Sequence, residues 1–141
     1  MPYPTEYQRA SDHFAQFLED AKEEAGLGSI HQAYTMIQGV FQVFRRRLEI
    51  RDAIRFTGAL NACMRAFFIA DWDPDETILP FDSVANMNKE VKRLRPDHNV
   101  SPPDSIIQVA RAVRKNVDEK VFSEVLEGLS PEARDFWKTD E

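Results

Sequence analysis

The amino-acid sequence predicts an all-α protein, a compact bundle of six or seven helices from two degenerate copies of a three-helix unit. Apolar residues recur at helical spacing along most of the chain, whereas hairpin-turn dipeptides and long alternating β-branched runs do not occur. The chain also resembles itself at an offset of 69 residues, which is typical of a duplicated unit. The offset pairs Ile37, Val40, Phe44 and Leu48 with Ile106, Val109, Val113 and Val117, and Leu60, Arg65, Phe67 and Phe68 with Leu129, Arg134, Phe136 and Trp137.

Length and composition indicate one helical domain that covers residues 1–141. Of the 141 residues, 43% are hydrophobic and 30% are charged, and a chain of this length can bury a core without disulfide or metal staples. We predict that the first repeat covers about residues 5–70, that a joint covers residues 71–81, and that the second repeat covers about residues 82–137.

The first helix is predicted to begin at Thr5 or at Ser11, with an apolar stripe facing the core. We expect it to end at Gly26 or Gly28, because glycine adopts the left-handed conformation of a helix C-cap without steric cost.

The second helix has the clearest signal. Ser29 followed by Gln32 forms a capping box, and apolar residues then recur at helical spacing as far as Leu48. Asp52 is predicted to cap a third helix that continues to Ala70.

Pro74 and Pro80 bracket the predicted joint, because proline disfavours helix in the residue before it. Asp82 or Ser83 is expected to open a fourth helix, which Pro96 ends.

Three further helices are predicted after Pro96. Ser101, followed by two prolines, is expected to cap the fifth, Asp118 the sixth and Ser130 a short final helix that places Phe136 and Trp137 against the body.

Charge and cysteine content indicate a cytoplasmic protein. The net charge of −6 disfavours nucleic-acid binding. The longest uncharged apolar run, 66–70, is far shorter than the ~20 residues that span a bilayer, and no secretory signal is recognised at the N-terminus. The single cysteine, Cys63, is typical of a small buried side chain in a reducing compartment.

The sequence contains no motif that predicts a cofactor or an enzyme. Its three histidines are isolated, and phosphate-binding loops, nucleophile elbows and Cys-x-x-Cys pairs do not occur. A superficial likeness to a calcium loop fails because Glu76 stands where the sharp turn needs glycine. Its carboxylates would be Asp71, Asp73, Asp75 and Asp82.

One dense basic run is a candidate partner-binding surface. Arginines near a helix C-terminus are stabilised by the helix macrodipole without any ligand, so a purely structural role stays open beside docking of an acidic partner. The run consists of Arg45, Arg46, Arg47, Arg51 and Arg55.

Aromatic residues of the first repeat are a candidate ligand pocket. Phenylalanine is more often core than cofactor or ligand contact, so these residues are also consistent with simple packing. The residues considered are Tyr34, Phe41, Phe44 and Trp72.

Three segments resemble a bacterial family, domain of unknown function 2267: residues 44–48, 71–74 and 129–137. The chain departs from the family's Leu-Pro turns, since Leu60 is followed by Asn61, and Ser130 stands between Leu129 and Pro131. The resemblance implies an all-helical fold and a bacterial source, and it implies no activity, substrate or catalytic residue.

Together these observations favour a non-enzymatic, cytosolic interaction module that binds a protein partner through the arginine run and the acidic joint. The alternative is a protein that binds a small apolar ligand between the repeats. An enzyme of unrecognised type is the third hypothesis.

Overall fold

The computed structural model describes residues 3–94 and 102–139, and within those ranges the chain is helical and contains no strand. The all-α prediction is therefore confirmed, although the described residues form nine helical segments and not six or seven. They are α1 (Thr5–Gln8), α2 (Ala10–Ala25), α3 (Ile30–Arg45), α4 (Ile50–Thr57), α5 (Ala62–Ile69), α6 (Val84–Leu94), α7 (Ser105–Lys115), α8 (Glu119–Glu127) and α9 (Pro131–Phe136).

The four longest helices form the centre of the fold. α2 packs against α3 and α7, and α3 also packs against α6 and α7. Gly39 permits the close approach of α3 to α6, because a Cβ at this position would lie 3.0 Å from Cγ1 of Val91. None of the helices in the described ranges is long and apolar enough to cross a membrane.

An aromatic cluster fills the space between the central and the short helices. The fully buried ring of Trp137 lies 5.2 Å from Phe44 and 5.3 Å from Phe56, measured between ring centroids. Phe68 completes the cluster, 5.1 Å from Phe56. The end of the chain's last helix is thus held against residues of the first half by apolar burial.

Several predicted helix ends are confirmed. Gly26 has φ 64° and ends α2 in the left-handed conformation. The side chains of Ser29, Asp118 and Ser130 accept hydrogen bonds from the backbone N–H three residues later, at 3.2, 3.1 and 3.2 Å. Each of these ends depends on chemistry within a few residues, which is why the sequence predicted them.

The prediction of one helix from Asp52 to Ala70 is wrong, because the chain breaks between α4 and α5. The N–H groups of Ala59 and Leu60 bond three residues back in a tightened last turn. Asn61 then caps α5, its side chain accepting from the N–H of Met64 at 3.3 Å. The break turns Leu60 into the core, where it is 3% exposed.

Other predicted boundaries also move. A bend at Arg9 separates α1 from α2, and α3 ends at Arg45, before the predicted Leu48. α7 begins at Ser105, so the two prolines at 102 and 103 precede it. The predicted cap at Ser101 and the predicted stop at 96 lie outside the described residues.

Contacts in the two halves of the chain match at a separation of 69 residues. In each half, an arginine near the end of a long helix donates to a carbonyl near the end of a later, short helix. The polar side chain two residues after that arginine donates to the backbone carbonyl four residues before itself. The pairs are Arg45 to Phe68 O and Arg114 to Trp137 O, and Arg47 to Val43 O and Asn116 to Ala112 O.

Candidate functional site

Arg45 lies inside the protein and joins α3 to the end of α5. Its Nη1 donates to the carbonyl oxygens of Phe68 and Ala70, both at 2.8 Å, and its guanidinium lies 5.7 Å from the ring centroid of Trp72. The pKa of Arg45 is lowered, because the effect of burial outweighs that of the nearby carboxylates, which act to raise it. These contacts satisfy carbonyl groups that the end of a helix leaves unpaired, so they give Arg45 a structural role.

Arg47 and Arg46 converge on one carboxylate of α6, that of Glu90. Arg47 binds it in bidentate fashion, with Nη2 to Oε1 at 2.7 Å and Nη1 to Oε2 at 2.9 Å, and Arg46 reaches Oε2 at 3.0 Å. Burial acts to raise the pKa of Glu90, but the hydrogen bonds and charges of the two arginines outweigh it and the pKa is lowered. Both arginines therefore link α3 to α6.

Arg51 and Arg55 are the exposed members of the arginine run. Arg55 lies 3.7 Å from Asp52, whereas Arg51 forms no ion pair with any residue of the described chain. Ile50 and Ile54 lie beside them on the same face of α4 and are 46% and 67% exposed. We call these four residues the α4 face.

The α4 face has a counterpart 69 residues later on α8, where the side chains are of a different kind. Glu119 and Ser123 stand where α4 has isoleucines, and Lys120 and Glu124 stand where it has arginines. The two exposed isoleucines of the α4 face therefore have no isoleucine at the positions 69 residues later.

The candidate ligand-binding aromatics are divided between the core and the surface. Phe41 and Phe44 are core residues, 1% and 0% exposed. Tyr34 stacks on Phe67 with ring centroids 4.6 Å apart, and Phe67 in turn contacts Phe41 at 5.8 Å. Trp72 borders only a hollow of about 20 Å³, which is too small for an organic ligand.

A larger groove lies beside the joint, and the sequence patterns did not indicate it. It has a volume of about 780 Å³, and we call it the joint groove. Its signal in the sequence is the apolar run Ile78–Phe81 inside an otherwise acidic connection. The groove is lined by Arg47, Leu48, Glu49 and Asp52, by Ile78, Leu79, Pro80 and Phe81, and by Leu129, Ser130 and Glu132.

A second groove, of about 510 Å³, is lined in part by residues that stand 69 positions from those of the joint groove, and we call it the counterpart groove. Six of its residues stand 69 positions from residues of the joint groove: Leu60, Asn61, Asn116, Val117, Asp118 and Val121. Its remaining wall is formed mainly by polar side chains of α1 and α2, those of Glu6, His13 and Gln16.

Metal-ligating side chains are not clustered in the described residues, where no group of three or more His, Cys, Asp or Glu is placed to hold an ion. The joint carboxylates that superficially resemble a calcium loop lie in the described part of the chain and form no such group.

Comparison with known proteins identifies the family of the chain. A search of curated proteins gives no match. The family described as uncharacterized conserved protein (DUF2267) matches residues 14–136. The match covers α2 from Phe14 onward, the other central helices, the α4 face, and both grooves except for Glu6 and His13. The match agrees with the resemblance found in the sequence, and the chain belongs to the DUF2267 family.

Proposed function

We propose that the protein is a non-enzymatic, cytosolic interaction module that binds a protein partner through the α4 face. The observation that carries the proposal is the pairing of two exposed isoleucines with two exposed arginines on one helix surface, Ile50 with Ile54 and Arg51 with Arg55. Exposed apolar side chains grouped together are typical of interaction sites, and arginine is enriched in protein interfaces.

The fold does not require this surface. α8 occupies the corresponding place in the second half with Glu119 and Ser123 where α4 has isoleucines, and it still forms a complete helix. Burying one isoleucine fully stabilises a complex by roughly 1.5–3 kcal/mol. Two isoleucines that are about half exposed would therefore contribute about 2 kcal/mol to binding.

The chemistry of the α4 face favours an acidic, amphipathic segment of the partner. Ile50 and Ile54 are one helical turn apart, as are Arg51 and Arg55, so the face presents one apolar stripe beside one basic stripe. A partner helix with apolar and acidic residues at the same spacing would match both stripes. The buried Arg45 and Arg47 are excluded from this surface because their hydrogen bonds are satisfied inside the protein.

We also infer that the chain is one domain of two degenerate copies of a helical unit, with a first copy over about residues 5–70 and a second over about 82–137. The matched arginine contacts of Arg45 and Arg114, and the two grooves at corresponding places, support this inference. In such a molecule the contacts found in both halves serve the fold, and the features found in one half are the candidates for function.

The test is capture of a partner by the immobilised protein and by a variant in which the α4 face carries the residues of α8, Ile54→Ser with Arg55→Glu. Because α8 folds with serine and glutamate at these positions, the variant is expected to keep the helical content and the melting temperature of the native protein. Lys120→Glu on α8 is the matched control. Proteins that bind the native chain and the control, but not the variant, would support the proposal, and identical captured sets from all three would refute it.

A further inference from the structure

We propose that the joint groove binds a short basic peptide segment of a second protein, with an aliphatic residue of the peptide as its anchor. The inference does not depend on the function proposed for the α4 face, which uses other residues and favours an acidic partner. It is drawn from the shape of the groove, from the charge of its rim, and from its difference from the counterpart groove.

The apolar wall of the joint groove is held in place before any ligand arrives. The N–H of Leu79 donates to the carbonyl of Arg46 at 3.0 Å, and the carbonyl of Pro80 accepts from Nε of Arg47 at 2.9 Å. These two bonds fix the joint against the end of α3. Ile78, the residue before Leu79, is 51% exposed, so the wall presents a large apolar side chain to the solvent. A preformed apolar wall reduces the entropy that binding would cost.

The rim of the joint groove is acidic. Glu49 lies before α4, Asp52 lies in its first turn, and Glu132 lies in the first turn of α9. Glu49 and Glu132 form no ion pair with any residue in the described ranges. Arg47, the cation at the groove, has its charge offset by Glu90. A ligand with lysine or arginine side chains would therefore complement the rim.

The counterpart groove shows that this chemistry is not demanded by the fold. Val121 stands at the position that corresponds to Asp52, and Cys63 at the position that corresponds to Glu132. Polar residues such as His13 form the wall that Ile78 and its neighbours form in the joint groove. The apolar wall and two of the three rim carboxylates, Asp52 and Glu132, are therefore specific to the joint groove. Asp118 of the counterpart groove keeps an acidic side chain at the position that corresponds to Glu49.

The backbone of the wall favours a peptide over a compact small molecule. The N–H groups of Ile78 and Phe81 make no hydrogen bond to another described residue, whereas that of Leu79 between them is bonded to α3. The unbonded N–H of Ile78, on the side of the segment opposite to the N–H of Leu79, is a donor that an extended peptide can use when it docks along the chain. The groove volume of about 780 Å³ accommodates several residues of such a peptide.

The experiment measures binding of the full chain to a fluorescein-labelled peptide Lys-Leu-Arg-Leu-Lys by fluorescence anisotropy at low salt. The same peptide with glutamate in place of every basic residue is the ligand control. We expect saturable binding of the basic peptide, weakening as salt is added, and no binding of the acidic one.

Two variants locate the binding. Asp52→Asn with Glu132→Gln removes two charges from the rim, and we expect it to raise the Kd by about tenfold or more. Glu124→Gln with Glu127→Gln removes the same number of charges from exposed positions on α8, and we expect a change in Kd of less than about twofold. Ile78→Ser alters the wall without altering charge, and we expect it to raise the Kd by about threefold or more.

Several outcomes would overturn the proposal. One is the absence of saturable binding of the basic peptide at about 1 mM protein. Equal binding of the acidic peptide, or an equal loss of affinity in the rim variant and the α8 variant, would also overturn it, because either result would indicate diffuse attraction to the charged surface. A dimer in sedimentation velocity that dissociates in Ile78→Ser would show that a second copy of the chain occupies the groove. None of these variants replaces a residue of the α4 face, but Asp52→Asn removes the carboxylate that lies 3.7 Å from Arg55. Glu132→Gln alone and Ile78→Ser leave the α4 face unchanged, so their failure to weaken peptide binding would count against the joint groove and not against the partner-capture experiment.

Discussion

The carboxylate of Glu90 is predicted to be the most important single ion-pair group for the stability of this protein. In Glu90→Gln the guanidinium of Arg47, whose side chain is 4% exposed, keeps its charge and loses its bidentate partner. Breaking a buried ion pair in this way costs about 3–5 kcal/mol. We expect the lower end, about 3 kcal/mol, because the Glu90 side chain is 13% exposed and glutamine can still accept one hydrogen bond.

Urea unfolding followed by circular dichroism measures this cost directly. For a chain of this size the loss corresponds to a melting temperature lower by about 10 °C. Glu19→Gln is the control, because it breaks the exposed 3.8 Å pair with Lys22 and should cost less than about 0.5 kcal/mol. A cost below about 1 kcal/mol for Glu90→Gln would show that water screens the Arg47 pair as it screens a surface pair, and our reasoning would be wrong.

Three further predictions concern pH, the capping arginine and a helix end. The pKa of Glu90 is lower in the folded state than its ordinary value of 4.5. The stabilisation of the fold by the ion pair is therefore complete above pH 4.5 and is lost as the pH falls through the folded-state pKa. The difference in melting temperature between the native protein and Glu90→Gln should therefore shrink below about pH 4.5. Arg45→Lys cannot reproduce the guanidinium's contacts and should cost about 1–2 kcal/mol in urea unfolding, and a cost under about 0.5 kcal/mol would contradict the structural role. Gly26→Ala should lower the free energy of unfolding by about 1 kcal/mol through the left-handed backbone alone, since a Cβ there meets nothing within 4 Å. Gly28→Ala should change the free energy of unfolding by less than that, and equal effects of the two substitutions would argue against the left-handed cap.

The parts of the fold that the sequence predicted correctly depend on neighbours along the chain. Ser29, Asp118 and Ser130 were recognised as caps because the acceptor and the donor are three residues apart. Asn61 offers the same local signal at the start of α5, and reading it as a cap would have predicted the break between α4 and α5.

The fate of the arginine run could not be predicted in this way. Arg47 is buried because Glu90, 43 residues later, brings a carboxylate to it, and Arg45 is buried because the end of α5 offers two carbonyls. Nothing in the run itself distinguishes these two from the exposed Arg51 and Arg55. The joint groove is hidden for the same reason, since Ile78 and Leu129 are brought to it from distant parts of the chain.

Differences between the halves of the molecule are more informative about function than similarities. Arg45 and Arg114 make corresponding contacts to helix ends, which is expected of residues that maintain the fold. The residues that stand 69 positions after Ile54 and Asp52 are of a different chemical kind, serine and valine. The α4 face and the joint groove, which flank the same helix, are therefore where a binding partner should be sought first.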